Sequence, residues 1–463
     1  MARSHKRVLF SLILTLWAAT MALSQAAEAT SGMATPGIER IGTGEYQAFY
    51  LVDGKIWGVG SNRAGQLGVG HTDPYAQVPP IRIKLPPDLR FIDVAGGGYQ
   101  SLAVDSTGHV WTWGSKLFGQ RGDGIPVDKT KSPELWNDGT PFRIPQDSTG
   151  KDFGDVIGVR SAMWFNVALK KDGTVWVWGM SGKEHPDSTG ILGNGSTQTV
   201  AVLRPTQVPF EPGVSIVQIE TSESLILARD SKGGVWSWGG GAAPKEARGT
   251  GSPDYSRPLR LPNLPEIKDI AAGGAEFSYA LDVDGNLWGW GLRGTYLGIG
   301  PPNGGWVPVA TPKKLSFPEF GEHKAVSVVA SAHSTHVILD DGTLWGWGDS
   351  AMGEVGNGVM LDFSTRNYAW NWASYQAMVF RPVRIVPGVS NFRAIYTTSQ
   401  CFYCYAVTAD GRVYSWGRNK TGILGNGVLP TGDAGTHPDS WDVALATPVS
   451  PLTTPATKAP SRP

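Results

Sequence analysis

The chain carries no excess charge of either sign. Among its 463 residues, Lys and Arg together number 40 and Asp and Glu together number 40, so the formal net charge at pH 7 is zero. A neutral protein lacks the long-range field that attracts nucleic acid or an acidic membrane. We therefore expect no nucleic-acid partner, although a local charged patch remains possible.

Long apolar runs are missing after the N-terminal segment. Only residues 8–23 form a run long enough to consider, and the basic residues Arg3, Lys6 and Arg7 precede it. Small residues follow at positions 24–29, which is typical of a cleaved secretory signal, and an uncleaved anchor is the less favoured alternative because the run is short. We predict a signal peptide over residues 1–29, a lead-in over 30–37, and an exported protein, periplasmic or secreted, without a membrane span.

Cysteine is nearly missing too. The two cysteines, Cys401 and Cys404, stand in the segment C-F-Y-C. In an exported protein a pair this close is consistent with a disulfide, which we predict. A redox-active pair requires a helix N-terminus to lower the thiol pKa, and nothing nearby indicates a helix. Two cysteines alone cannot supply the four ligands of a structural zinc site.

Catalytic and metal-binding motifs are absent from the sequence. It contains no G-x-S-x-G, G-x-x-x-x-G-K-[ST] or H-E-x-x-H segment. His333 and His336 lie three apart, and on a strand such residues face opposite sides. Asp282 and Asp284 begin like a calcium loop that lacks its later Glu. We predict no metal, no cofactor and no enzymatic activity, although scattered loops can still assemble a site.

A repeated segment dominates what is present. D-G-N-L-W-G-W-G, at residues 284–291, recurs in seven related copies whose final glycines lie 54, 65, 60, 52, 57 and 69 residues apart. A period of this length with strand-forming residues indicates an array of β units. The copies occupy residues 53–60, 107–114, 172–179, 232–239, 284–291, 341–348 and 410–417.

Each copy predicts a β-hairpin with tryptophan on one face. Asp-Gly between apolar runs favours a type I′ turn, in which both central residues have positive φ. Trp288 and Trp290 lie two apart and share a face of the strand, while Gly289 points to the other. We expect these tryptophans to fill the core. The structural set comprises Trp57, Trp113, Trp178, Trp238, Trp290, Trp347 and Trp416.

Each hairpin belongs to a longer unit of four strands. In residues 91–114 an apolar strand, a glycine turn and a second strand precede the tryptophan strand, and a glycine-rich loop and a last strand follow. Proline usually enters the last strand, which fits an outer edge. Seven such units predict an all-β chain, a seven-bladed β-propeller with four-stranded antiparallel blades, because radial closure protects strand edges. We predict the propeller over residues 38–452, its last strand at 446–452, and a disordered tail at 453–463.

The glycine loop carries a family resemblance. I-W-G-V-G-S-N-R-A-G-Q-L-G-V-G, at residues 56–70, together with the recurring hairpins, resembles the regulator of chromosome condensation repeat across residues 38–452. The resemblance implies a seven-bladed propeller. It also implies guanine-nucleotide exchange on a small GTPase, as in the nuclear member, or protein capture, as in an exported bacterial type that caps a β-lactamase. The family often has a His before the hairpin, where this chain has, there or one residue away, Tyr46, Gln100, Phe165, Glu223, Phe277, Ser334 and Tyr403.

Long insertions occupy one position in the repeat. They lie between the glycine loop and the last strand, at residues 125–142, 301–310, 359–380 and 428–446. Insertions in the same topological position share one face, which often binds partners. Aromatic side chains in such loops are favoured interface anchors. The candidate binding residues are Trp136, Trp306, Phe363, Tyr368, Trp370, Trp372, Tyr375 and Trp441.

These observations favour an exported, monomeric scaffold that binds a protein partner through aromatic loops on one face. A guanine-nucleotide exchange factor-like effector acting on a small GTPase is one alternative. A carbohydrate-binding propeller is another, because tryptophan rings also stack on sugars.

Overall fold

The predicted seven-bladed β-propeller is confirmed. The computed structural model describes residues 37–128, 136–181, 189–197, 200–240, 245–274, 276–292, 294–300, 308–360, 377–426 and 443–449. Seven antiparallel sheets of four strands follow one another, and each sheet takes its strands in sequence order. We number the sheets as blades 1 to 7 and count the strands of each blade outwards from the central axis.

The strand bounds repeat in every blade. The first strands are Ile38–Thr43, Phe91–Gly96, Val156–Ser161, Ile216–Thr221, Ile267–Gly273, Ala325–Ala330 and Phe392–Tyr396. The second strands are Gln47–Val52, Gln100–Asp105, Phe165–Lys170, Leu225–Asp230, Phe277–Asp282, Ser334–Leu339 and Tyr403–Thr408. The third strands are Lys55–Asn62, Val110–Ser115, Val175–Ser181, Val235–Gly239, Leu287–Gly291, Leu344–Asp349 and Val413–Gly417. The fourth strands are Asp73–Arg82, Asn137–Arg143, Val200–Gln207, Leu259–Arg260, Val309–Lys314, Met378–Ile385 and Val443–Pro448.

Helix is confined to single turns in the described residues. These are an α-helical turn at Lys245–Arg248 and 3₁₀ turns at Gly294–Leu297 and Pro318–Phe320. Within the described ranges, no helix combines the length and the apolar character needed to cross a membrane.

The type I′ prediction is right for blade 1 alone. Asp53 and Gly54 both have positive φ there, at 50° and 68°. In the other six hairpins only the glycine does, and the loop holds three residues. In blade 2, for example, the Gly108 amide donates to the Asp105 carbonyl and the Asp105 amide donates to the His109 carbonyl. This is a type I turn followed by a glycine bulge.

The predicted position of the outer-strand prolines is also wrong. Proline lies within the fourth strand in six blades, as Pro382 does within Met378–Ile385, and only in blade 4 does a proline, Pro258, directly precede the strand. The pairing shifts there, since Gly346 faces Val383 while Gly348 faces Val379. A bulge on an edge strand tolerates a missing amide. The last strand of blade 7 is likewise displaced, at Val443–Pro448 and not at residues 446–452.

Five of the seven hairpins, those of blades 2 to 6, carry two tryptophans, and the two have separate roles. The first is anchored to its own hairpin, as where the Trp288 indole Nε1 donates to Asp282 Oδ2 at 3.0 Å. The second is fully buried and reaches the preceding blade, as where Trp290 Nε1 donates to the Ala247 carbonyl at 3.0 Å. This inter-blade bond recurs in blades 2 to 7, from Trp113, Trp178, Trp238, Trp290, Trp347 and Trp416. Trp57 occupies the first of the two tryptophan positions in the hairpin of blade 1 and is half-buried.

Tyrosines replace the inter-blade tryptophan where blade 7 meets blade 1. Val59 occupies the second tryptophan position in blade 1, so no indole reaches the loop of blade 7. The Tyr405 hydroxyl instead donates to the Ile423 carbonyl of that loop and lies 3.1 Å from the Tyr50 hydroxyl of blade 1. The Tyr403 hydroxyl lies 2.6 Å from the Gly44 carbonyl. Side chains close this ring, because none of the strands that the structure describes is exchanged between blades.

The predicted disulfide is not formed. Cys401 and Cys404 are free, buried thiols that face different inter-blade contacts. Cys401 Sγ lies 3.1 Å from the Gly44 carbonyl of blade 1, whereas Cys404 Sγ lies 3.6 Å from His336 Nδ1 of blade 6. The second strand begins between them and directs the two side chains apart. Burial raises the pKa of both thiols, which opposes redox activity.

Removing the Tyr403 hydroxyl tests the contact between blades 7 and 1. The hydroxyl is within hydrogen-bond distance of the carbonyls of Gly44 and Gln47, and it accepts from the Gly44 amide. Tyr403→Phe removes one hydrogen-bond partner from each of these buried groups, which keep other partners, so we expect a loss of about 0.5–1.5 kcal/mol in the free energy of unfolding. Urea denaturation measures it. Tyr414→Phe in the same blade is the control, and equal losses in the two variants would contradict the assignment.

Candidate functional site

The order of the strands gives the propeller two different faces. Turns between first and second strands and connections between third and fourth strands lie together on one face, which we call the insertion face. The Asp-Gly hairpins and the links between blades lie on the other, the hairpin face. All four predicted insertions connect third to fourth strands and therefore start from the insertion face.

One of the eight predicted binding residues can be placed. Trp136 is half-buried at the start of the fourth strand of blade 2, and its indole lies 3.4 Å from the Asp128 carbonyl of its own insertion. The other seven lie outside the described residues: Trp306, Phe363, Tyr368, Trp370, Trp372, Tyr375 and Trp441.

The structure reveals a second set of aromatic residues that the sequence analysis missed. It consists of the last residue of the first turn in blades 6, 7, 1, 2 and 3, and we call it the aromatic arc. The ring centroids of Tyr46 and Tyr99 lie 5.4 Å apart, and those of Tyr99 and Trp164 lie 6.4 Å apart. The members are half-buried or exposed, so the arc presents ring surface to solvent. They are His333, Phe402, Tyr46, Tyr99 and Trp164.

Buried glutamines support the arc from below. Gln47 Nε2 donates to the Gly97 carbonyl at 3.1 Å, and Gln100 Nε2 donates to the Ala162 carbonyl at 2.9 Å. Each glutamine begins a second strand and holds the turn of the next blade. Gln47, not Tyr46, is therefore the residue equivalent to Gln100, and this position is buried. In blade 4 the equivalent residue is Leu225 and not Glu223.

A long turn in blade 7 covers the central axis at the insertion face. Residues 397–402 separate its first two strands, whereas three residues do so in each of the other blades. We call this segment the plug. Ser399 Oγ donates to the Thr221 carbonyl of blade 4 at 2.9 Å, and Gln400 Nε2 donates to the Ser161 carbonyl of blade 3 at 3.3 Å. The plug thus reaches across the ring and closes the channel on this face.

Beneath the plug is a polar pit of about 250 Å³. A chain of ion pairs runs along its wall, from Arg40 to Asp93 at 2.6 Å and from Arg160 to Glu220 at 2.9 Å, with Arg160 also 3.7 Å from Asp93. Asp269 follows in blade 5. Burial, with a smaller contribution from the Glu220 carboxylate, raises the pKa of the Asp269 carboxyl to about 6.

The pit residues escaped the sequence analysis because they do not repeat. They occupy the third and fifth positions of the first strands, where one blade has Asp, the next Gly and another Gln. The available signal was charge inside short apolar strands, as in F-I-D-V-A-G and I-V-Q-I-E-T. Such charges are rarely buried unless they are paired.

One cluster has metal-ligand atoms near one another. His323, Asp340 and Asp341 are exposed, with ligand atoms within 4.8 Å. His323 Nδ1 lies 2.8 Å from Asp340 Oδ1, and Thr343 already donates to Asp341 Oδ1. These contacts are those of an exposed ion pair and a hairpin turn, so we assign no metal to the cluster.

Comparison with known proteins agrees with the fold. The family model for the RCC1-like domain matches residues 55–448. The chain is 27% identical to the guanine nucleotide exchange factor SRM1 of Saccharomyces cerevisiae over 409 residues, which is 83% of this chain and 82% of that protein. It is also 27% identical to the human E3 ubiquitin-protein ligase HERC2 over 370 residues, which is 71% of this chain but only 7% of that protein.

A solved structure shows the same fold. The yeast RCC1 (Prp20) structure with bound Kap60 superposes with a TM-score of 0.66 and 23% sequence identity, covering 91% of this chain and 90% of that chain. The family assignment rests on the seven blades, the glycine loops and the match over residues 55–448. The chain belongs to the family of RCC1-like domains.

Proposed function

We propose that this protein is an exported, non-catalytic module that binds a protein partner with its insertion face. The aromatic arc carries the proposal. Its rings form a half-exposed surface across five blades, and the predicted insertions begin around it. Exposed aromatic clusters with few rotatable bonds are favoured anchors of protein interfaces.

The arc is supported as a preorganised surface. The plug and the buried glutamines hold the turns by hydrogen bonds to neighbouring blades, so little backbone freedom is lost on binding. Phe402 also has the Arg418 guanidinium 5.5 Å from its ring centroid. Aromatic and Arg side chains are the residues most enriched at interface hot spots.

Exchange activity on a small GTPase is the second candidate. The relative SRM1 is a guanine nucleotide exchange factor, and the likeness covers 82% of that protein. However, the positions where the family often has His are buried here and occupied by other residues, including Gln47, Phe165 and Tyr403. Accelerated release of labelled nucleotide from a Ran-type GTPase would favour this candidate. A glycan-array signal without protein capture would favour the carbohydrate-binding alternative.

Replacing two arc residues tests the proposal. We expect Tyr99→Ala with Trp164→Ala to weaken capture of the crosslinked protein partner roughly 10- to 100-fold, because each truncation removes a central aromatic anchor. The melting temperature should change little, because both rings are partly exposed. Quantitative pull-down with mass spectrometry measures capture.

Val283→Ala is the matched control, since Val283 is an exposed apolar residue on the hairpin face. Capture that survives the double substitution, or that is lost equally in the control, would contradict a role for the arc.

A further inference from the structure

The pit beneath the plug opens on the hairpin face, opposite the aromatic arc. In all seven blades the pairing of first and second strands shifts at the second residue of the first strand. A bulge of this kind redirects a side chain. Ile92, Ile157 and Val217 occupy this position in blades 2 to 4 and are 46%, 48% and 42% exposed, near the hairpin-face end of the strands that surround the axis. Apolar side chains thus form one side of the entrance to a charged cavity.

The charges inside the pit do not balance. Arg40 pairs with Asp93, and both oxygens of Glu220 accept from Arg160. Asp269 has no cation within ion-pair distance among the residues that the structure describes. With the Asp269 carboxylate ionised, the pit wall has three carboxylates against two guanidinium groups.

Asp269 retains limited capacity to accept hydrogen bonds. Its Oδ1 accepts from Gln218 Nε2 at 2.7 Å and from the Ile270 amide at 3.0 Å. Its Oδ2 accepts only a long bond, 3.4 Å, from the Val328 amide. A carboxylate offers about four lone-pair positions. The remaining capacity suits a single donor with one positive charge, and not a bidentate guanidinium or a divalent cation that needs several oxygens.

We propose that the pit binds a primary alkylammonium group, with the ammonium against Asp269 and the alkyl chain against Ile92, Ile157 and Val217. The ammonium neutralises the unpaired carboxylate, and the aliphatic mouth removes the alkyl chain from water. The pit volume accommodates a short chain and excludes a large ligand. A free amine and a lysine side chain present this same group.

Titration calorimetry with hexylammonium chloride at pH 7.5 tests the proposal. We expect saturable binding with one site per chain. The affinity of Asp269→Asn should be lower by a factor of about ten or more, because a hydrogen bond to a charged group is lost. Hexanol, which has the same chain without the charge, should bind more weakly. Asp284→Asn on the exposed hairpin face is the matched control and should bind like the wild type.

Two further variants test the contact with the alkyl chain and the need for open space in the pit. Val217→Ser should weaken binding of hexylammonium but not of methylammonium, because only the longer ligand reaches the mouth. Ser327→Leu should abolish binding by filling the pit without touching its charged groups. This variant keeps the proposal testable if Asp269→Asn is poorly folded.

Lower pH should also weaken binding. Protonation of Asp269 at pH 5 removes the attraction for an ammonium group. Arg40, Arg160, Glu220 and Tyr396 also line the pit, and Asp93 pairs with both arginines. Glu39, Lys268 and Arg393 occupy the second position of their first strands.

The source of the ammonium group is distinguished by a second ligand. Binding of Nα-acetyl-lysine methylamide supports a protein side chain, and its exclusion alongside hexylammonium binding supports a free amine. No saturable binding of hexylammonium, equal binding of hexanol, or unchanged affinity in both Asp269→Asn and Ser327→Leu would overturn the proposal.

Discussion

Replacing Trp290 with alanine is expected to lower the free energy of unfolding by about 3–5 kcal/mol, the usual loss for truncating a fully buried aromatic residue. The Trp290 ring is completely buried between blades 4 and 5, where Leu227, Ala247 and Ile270 belong to the same core cluster. Its indole also satisfies the Ala247 carbonyl. The variant loses the packing and leaves that acceptor without its partner. Urea denaturation monitored by circular dichroism measures the change.

Trp288 provides the matched control, because it lies two residues away and is half-buried. Its indole is bonded within its own blade, to Asp282. We expect Trp288→Ala to cost about 1–2 kcal/mol, since only part of the ring is removed from water. Trp290→Phe should fall between the two alanine variants, because it keeps the aromatic packing but loses the hydrogen bond. Equal losses for Trp288→Ala and Trp290→Ala would contradict the separate roles of the first and second tryptophan positions in the hairpin.

The second large effect is a loss of stability on acidification that depends on His336. This side chain is fully buried, with Nε2 3.2 Å from the Val355 carbonyl. Burial lowers the pKa of His336 from 6.5 to about 4. Between these pH values the unfolded chain binds a proton and the native chain does not. The stability that His336 contributes is present above pH 6.5 and is lost as the pH falls towards 4, by up to about 3 kcal/mol.

Asp269 opposes this loss over an overlapping range. Burial raises the pKa of its carboxyl from 3.8 to about 6, so the native chain holds a proton that the unfolded chain releases. Its ionisation therefore destabilises the native state above pH 6, and stability is regained as the pH falls towards 3.8. Because water reaches the pit, we expect a contribution of about 1–2 kcal/mol.

Single variants should expose the two opposing slopes. In Asp269→Asn the His336 term is no longer opposed by Asp269, and this term should lower stability by about 2–2.5 kcal/mol between pH 7 and pH 4.5. In His336→Gln only the Asp269 term of the two remains, so stability should fall by at least about 2 kcal/mol less over the same interval than in Asp269→Asn. Urea denaturation at pH 7, 6, 5.2 and 4.5 provides the slopes. Parallel slopes for the wild type and both variants would show that neither group titrates as described.

The repeat made the architecture predictable from sequence. Seven spaced copies of one hairpin define seven blades, and the alternation in W-x-W correctly places both rings on one face of a strand. The turn type was harder to infer. Asp-Gly occurs in a two-residue turn at Asp53, but Asp172 stands inside a three-residue loop, where its side chain accepts from the Thr174 amide. Local sequence alone does not separate these hairpins, because both require the same glycine.

The functional surfaces were less predictable because they combine residues from different blades. Tyr46, Tyr99 and Trp164 are far apart in sequence and come together only when the ring closes. The plug was hidden for the same reason, because its partners Ser161 and Thr221 belong to distant repeats. The spacing of Cys401 and Cys404 favoured a disulfide, but a strand begins between them and separates their side chains. The two cysteines are close in sequence, but their Sγ atoms contact different blades and form no disulfide.

The inter-blade tryptophans set a direction for assembly during synthesis. Each one bonds a carbonyl 43 to 62 residues earlier in the chain. Domains fold from the N-terminus as the chain emerges from the ribosome. For every blade from the second onwards, the residue that its tryptophan contacts has therefore been synthesised before the tryptophan itself. The contacts between blades 7 and 1, such as that of Tyr403 with Gly44, 359 residues apart, must wait for the whole ring. Blade 1 keeps the apolar side that packs against blade 7 uncovered until then.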